Sequence, residues 1–256
     1  MASLMSIDLP PSFDQTVILE KLDRVLDPEL DESIISLGFV TGIKGAGGHL
    51  TVELRLPTYW CAANFSYLMA SDIRRELLTV EWVQQVNVRL QDHFAAQAIE
   101  SGVVTGESFA NAFADGGSES LENIRDLFLR KGFLARQETL LRHLKNGRLS
   151  FEEIAALRLS DLRVEGEACT VVRNQVPIAL PGAARTALRY LERRADLALD
   201  CSDEAPLICH VGGGAIPSAD LETYYVRART SRLAMEANGA LCGALLRARG
   251  RDWDPS

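Results

Sequence analysis

Residues 49–56, HLTVELRL, alternate without interruption: Leu50, Val52, Leu54 and Leu56 fall on one side, Thr51, Glu53 and Arg55 on the other. A run of period two with one apolar side folds as a strand whose sheet is covered on one face and wet on the other. Ahead of it, Gly45-Ala46-Gly47-Gly48 supplies a turn, and the Ile-, Leu-, Phe- and Val-rich stretch Ser33 to Ile43 reads as the partner strand of a hairpin. Residues 15–27 set Val17, Ile18, Leu22, Val25 and Leu26 at helical spacing, with Asp14 as a cap and Asp27-Pro28 as the stop. Ala62 to Leu78 reads as a second helix burying Phe65, Leu68, Met69, Ile73 and Leu77, and Val83 to Leu90 alternates again. The expected order is α-β-β-α-β: an α+β fold with a three-stranded sheet and two helices on one face.

The rest of the chain reads differently. Residues 93–118 are rich in Ala, Gly and Ser, and Asp115-Gly116-Gly117-Ser118 looks like a flexible break. This gives a first domain over 14–92, a linker over 93–118 and a mainly helical domain over 119–250. Leu121 to Leu144 is expected as a helix ended by Gly147, and Ser150 with Glu153 as a capping box for the next. A short hairpin over Leu162 to Val176, an Arg-rich helix over Pro181 to Leu199 and a strand over Leu207 to Val211 follow. Asp220 to Leu246 reads as a helix interrupted at Asn238-Gly239, and the tail from Arg251 as loose.

Charge separates the two halves. The net charge of -8 belongs to residues 1–114, with 7 Lys+Arg against 15 Asp+Glu, whereas residues 115–256 hold 20 of each. An acidic surface repels phosphate backbones, which argues against nucleic-acid binding by the first half and favours a basic partner or a cation. No stretch reaches the roughly 20 apolar residues of a membrane helix, and the start lacks a secretory pattern, so a cytoplasmic protein without membrane partner is expected. The five cysteines, Cys61, Cys169, Cys201, Cys209 and Cys242, form no CxxC pair and are expected as thiols.

Three groups of residues sit at element ends, where function is usually presented: Asp27-Pro28-Glu29, Thr58 with Cys61, and Asp92-His93. A cysteine at a helix N-terminus faces unpaired N–H groups and the positive end of the helix dipole, which favour the thiolate that binds metals. Thr58 can hydrogen-bond in the same turn. Asp27 and Glu29 are candidate oxygen ligands beside the sulfur, and His93 a candidate nitrogen ligand; such a mixed set suits iron or zinc better than magnesium. His93 is also the only nearby base that a thiol enzyme built on Cys61 would use. Tyr59 and Trp60 form an aromatic rim that serves either as a docking surface or as core filling.

The run DPELDESIISLGFV, the hairpin, and LPTYWCAANFSYLMASDIRREL together resemble the PaaD/SufT-like family of iron–sulfur cluster assembly proteins over roughly residues 15–92. Asp27-Pro28-Glu29, Leu37-Gly38, and Thr58 with Cys61 carry the likeness. The resemblance implies a non-enzymatic maturation factor, a metal-binding chaperone that handles iron or a transient iron–sulfur cluster. Its partner would be a client metalloenzyme such as a bacterial monooxygenase component. Here Trp60-Cys61-Ala62 stands where many members have Gly-Cys-Pro. One cysteine cannot hold a cluster alone, so a homodimer, other ligands or the client would complete it. LSFEEIAALRLSDLRVEGEACTVVRNQVPIALPGAARTALRYLERR resembles the start of a tyrosine recombinase catalytic domain. Ser150 replaces that family's arginine, and neither its His-x-x-Arg motif nor its terminal tyrosine is present, so strand exchange is excluded. The alternative function is a DNA-binding regulator on that inactive fold, through Arg185, Arg189, Arg193 and Arg194.

Overall fold

The alternation at 49–56 is a strand, His49–Arg55, and Leu50, Val52 and Leu54 are fully buried on its covered side. Each such side chain contributes about 1.5–3 kcal/mol of hydrophobic stabilisation. The computed structural model describes residues 5–11, 13–106, 109, 113 and 121–249. They divide into two units: Met1–Arg125 with Ala237–Ser256, and Asp126–Glu236.

In the first unit the elements are β1 (Ser6–Asp8), α1 (Gln15–Asp23), β2 (Leu26–Asp27), β3 (Glu32–Ser33), β4 (Val40–Ala46), β5 (His49–Arg55), α2 (Ala63–Leu77), β6 (Gln85–Gln91) and α3 (Ala96–Thr105). The sheet runs β1-β4-β5-β6, with β4 and β5 antiparallel and both outer pairings parallel. The α+β architecture is as expected, with a fourth strand: β1 pairs with β4 through only three residues, too few to show alternation. Gly45 on β4 lets this edge close, because a Cβ there would stand 2.7 Å from Leu9 and from Phe13.

Two boundaries move. The first helix ends at Asp23, one turn before the proline, and Leu26–Asp27 pairs with Glu32–Ser33 as a two-residue ladder around the Asp-Pro-Glu turn. The strand expected from Ser33 begins only at Val40. Residues 34–38 turn instead, with Gly38 at φ +67, a left-handed conformation that a side chain would strain. Ile34, Leu37 and Phe39 still enter the core, so their apolar character reports burial rather than strand.

The stretch expected as a linker carries α3, which buries Ile99 and Val103 in the first core, while Asp115–Ser118 lie outside the described residues.

The second unit holds most of α4 (Leu121–Asn146), then α5 (Phe151–Ala156), β7 (Leu162–Glu165), β8 (Ala168–Arg173), β9 (Val176–Ala179), α6 (Ala184–Asp196) and the first part of α7 (Ser218–Ala248). Its sheet is a three-stranded antiparallel meander rather than a hairpin. Ser150 and Glu153 make the expected capping box. Residues 207–211 form no strand: Pro206 and Cys209 each make an isolated bridge. The expected break at Asn238-Gly239 is absent, and α7 is one continuous helix whose last turns, from Ala237, belong to the first unit. The tail from Arg251 lies outside the described residues.

Candidate metal-handling site

Cys61 lies one residue before the cap of α2, in a turn closed by its own N–H donating to the Thr58 carbonyl at 3.4 Å. Its sulfur is half-buried, 3.4 Å from the Thr58 hydroxyl. The cap residue, Ala62, offers no side-chain oxygen to the first helical turn, where Asn64 Oδ1 accepts from the Phe65 N–H at 2.9 Å, and the positive end of the helix lies next to the Cys61 turn.

His93 holds the turn from below. Its Nδ1 accepts from the Ala95 N–H at 3.1 Å, so Nε2 carries the hydrogen and donates to the Cys61 carbonyl at 2.9 Å, with Ser66 Oγ at 3.1 Å. Burial pushes the imidazole pKa down, against the bond to Cys61. Both ring nitrogens are engaged, and the ring meets the cysteine at its backbone and not at its sulfur. The neighbouring Asp92, in a left-handed conformation, pairs with Arg55 at 3.0 Å and Arg249 at 3.5 Å.

The acidic turn is built as tightly. Asp27 Oδ1 accepts from the N–H groups of Glu29 and Leu30, each at 2.9 Å, and the Asp31 N–H closes on the Asp27 carbonyl. Burial pushes the Asp27 carboxyl up to about 6, against those two N–H groups, which lower it. Glu29 accepts from the Asn238 amide at 3.0 Å.

That last bond introduces residues the sequence did not single out. Asn238, Cys242, Leu246 and Arg249 follow one another at steps of four, four and three along one face of α7. Asn238 holds Glu29, Leu246 is buried in the first core, and Arg249 donates to the Leu56 carbonyl at 2.9 Å. Cys242, between them, packs half-buried on the same core as Cys61. Burial, then the acidic groups of Asp27, Cys61 and Glu29, push its thiol up to about 11. The Asn-Gly pair had masked this face by reading as a helix break; four-residue spacing from Asn238 was the signal that could have found it.

The aromatic rim is outside, not core. Trp60 is 74% exposed, and Tyr59 and Phe94 are both 45% exposed. Trp60 meets Tyr59 edge to face with ring centroids 4.8 Å apart and lies tilted 5.5 Å from Phe94, and the Phe94 N–H donates to the Tyr59 carbonyl. An exposed aromatic cluster of this kind is a feature of interaction surfaces.

Among the described residues, no three His, Cys, Asp or Glu side chains stand together as a ready metal cage, and no helix is long and apolar enough to cross a membrane. Sulfur and carboxylate oxygen are donor types that suit iron or zinc, but here they form no closed set. In the second unit, Arg193 and Arg194 of the Arg-rich helix are buried, and Ser150 is occupied as a cap.

No match to the chain was found among curated proteins. Residues 15–89, which hold the Asp-Pro-Glu turn, the Cys61 turn and the sheet behind them, match the family model described as iron-sulfur cluster assembly protein.

Proposed function

We propose that this chain is a cytoplasmic, non-enzymatic maturation factor. It takes up iron or an iron–sulfur centre as cargo and passes it to a client metalloenzyme, a bacterial oxygenase component. The family match over 15–89 supports the assembly role, and the observation that carries the reading is the half-exposed Cys61 thiol, fixed by Thr58 and His93 beside an exposed aromatic rim. A carrier has to hold its cargo and also release it. An incomplete donor set does both, because the remaining ligands come from a second copy of the chain or from the client.

In this reading Cys61 is the sulfur donor, and Glu29 and Asp27 are oxygen donors. His93, with both nitrogens occupied, positions the cysteine turn in place of serving as a ligand. Tyr59, Trp60 and Phe94 are the docking surface for the client. The rival DNA-binding reading retains only Arg185 and Arg189 of its four arginines on accessible positions. Cys61→Ser is expected to leave folding intact while client iron content and activity fall to the level seen without the factor. Unchanged client iron content would refute the reading.

A further inference from the structure

Residues 1–114 hold only 7 Lys and Arg, yet three of them, Lys44, Arg55 and Arg89, share the wet face of the first sheet. The register places them there. Arg55 pairs with Gln91, and Glu53 with Arg89, across β5 and β6, so Arg89 stands one step diagonally from Arg55. Lys44 reaches Glu53 from β4 at 2.7 Å. The alternate positions Leu50, Val52, Leu54, Val86, Val88 and Leu90 are the buried side. Glu53 is already engaged at both oxygens, by Lys44 and by Gln91 Nε2 at 3.1 Å. A further cation comes from the other end of the chain. Arg249 donates to the Leu56 carbonyl at 2.9 Å and meets Asp92 Oδ2 at 3.5 Å, the same oxygen that Arg55 meets at 3.0 Å. Arg89 is exposed and, among the described residues, has no ion-pair partner. Three guanidinium groups therefore face one free-standing carboxylate, a local positive surplus on a domain that is acidic overall. The patch adjoins the aromatic rim through the chain itself. Asp92 is two residues from Phe94, whose N–H donates to the Tyr59 carbonyl, and the Leu56 carbonyl held by Arg249 lies three residues before Tyr59.

We propose that Arg55, Arg89 and Arg249 form the charged half of the docking surface whose apolar half is the rim, and that its occupant is an acidic segment of the client, Asp or Glu side chains beside an exposed apolar residue. The inference rests on the carrier reading and names the chemistry of that reading's partner. A guanidinium grips a carboxylate through paired, charge-assisted hydrogen bonds. The side chains of Arg55 and Arg249 are only 26% and 25% exposed and are already held by Asp92 and Leu56, so they lose little freedom when a partner binds. Charge selects the partner, and the rim supplies the apolar contact that holds it. A nucleic acid fits less well, because a phosphate backbone needs an extended basic track, and here the acidic domain surrounds three arginines. Asp92 competes with the incoming carboxylate for Arg55 and Arg249 and so sets the affinity of the surface.

The test is fluorescence anisotropy of the full chain at low salt with a short labelled peptide that alternates Glu with Phe, beside the same peptide with Gln for Glu and a single-stranded oligonucleotide of like length. The Glu peptide is expected to bind at least tenfold tighter than either control. Arg89→Glu and Arg249→Gln are each expected to weaken it at least tenfold. Asp92→Asn is expected to tighten it several-fold, a gain that a merely structural role for these side chains would not produce. Thermal unfolding checks each fold, and Arg89, exposed and unpaired, carries the reading if Arg249→Gln loosens the end of α7. Equal binding of the Glu and Gln peptides, or wild-type affinity in Arg89→Glu and Arg249→Gln, would overturn the surface, and tighter binding of the oligonucleotide would replace it with a nucleic-acid site. Iron content after anaerobic loading separates the two readings. Loss of iron in Cys61→Ser without selective peptide binding would leave the carrier reading standing alone, whereas selective peptide binding with equal iron in wild type and Cys61→Ser would leave the acidic-segment surface and remove the carrier.

Discussion

The two units treat their polar side chains in opposite ways. In the second unit, Arg194 is fully buried and its guanidinium donates to the Tyr190 hydroxyl, the Pro206 carbonyl, the Cys209 sulfur and the Asp200 carbonyl. Tyr190 in turn donates to the Leu207 carbonyl and Gln137 Oε1, and Gln137 Nε2 donates to the Cys209 carbonyl. Of the Arg194 guanidinium nitrogens, only Nε is left buried without a partner, and Cys209, its thiol pushed up by burial, is one more packed atom. In the first unit the network stops short. Thr58 and His93 hold the Cys61 turn, Asp27 holds the acidic turn, and the partly buried Cys61 sulfur meets only the Thr58 hydroxyl as a hydrogen-bond partner among the described residues. A densely connected network fixes a fold, whereas a sparse one leaves donors for a ligand.

The largest expected effect probes the dense network. Arg194→Met strips donors from several buried acceptors and is expected to cost roughly 3–5 kcal/mol, measured by urea unfolding, without altering Cys61 alkylation by iodoacetamide. A loss below 1 kcal/mol would show the network to be incidental.

The next effect has the opposite sign. The folded Asp27 carboxyl titrates at about 6 against 3.8 ordinarily, so the fold binds its proton more tightly than the unfolded chain does. The contribution of this carboxyl to stability is therefore greatest below pH 4, falls as pH rises to about 6 and is level above. Asp27→Asn keeps the Oδ1 acceptor of the turn and removes that cost. It is expected to stabilise by roughly 2–3 kcal/mol at pH 7.5 and by little at pH 4, as read by unfolding at both. A loss at pH 7.5 would mean that the charge is held by the fold and not tolerated for function.

Much of this arrangement was legible in the sequence, and the physical reason differs by residue. Leu50, Val52 and Leu54 announced their strand because alternation is a local property of the pleat. Asp14 and the Ser150–Glu153 box announced helix starts, since each cap bonds within three residues of itself. Thr58 and Cys61 are likewise within reach of one another along the chain. The place of Cys242 on the first core was not legible, because the core residues it packs against come from the far end of the sequence. The exposure of Trp60 was not legible either, because aromatic character is compatible with core and rim alike. Asn238-Gly239 misled because tertiary contact outweighs propensity: the Asn238 side chain binds Glu29, and the helix continues through Gly239.

Two smaller effects complete the comparison. Ser150→Ala removes one local cap and is expected to cost about 1 kcal/mol of stability, with client maturation unchanged. Trp60→Ala is expected to shift stability by under about 0.5 kcal/mol, as for an exposed side chain. It should still weaken client pull-down at least tenfold if the rim is the docking surface; undiminished capture would remove the rim from the account.

The most direct measurement is iron and acid-labile sulfide content per chain after anaerobic purification, wild type beside Cys61→Ser. The account predicts iron on the wild-type chain and its loss from the variant, at equal thermal stability. Equal iron on both, or none on either after anaerobic Fe(II) and sulfide loading, would contradict it.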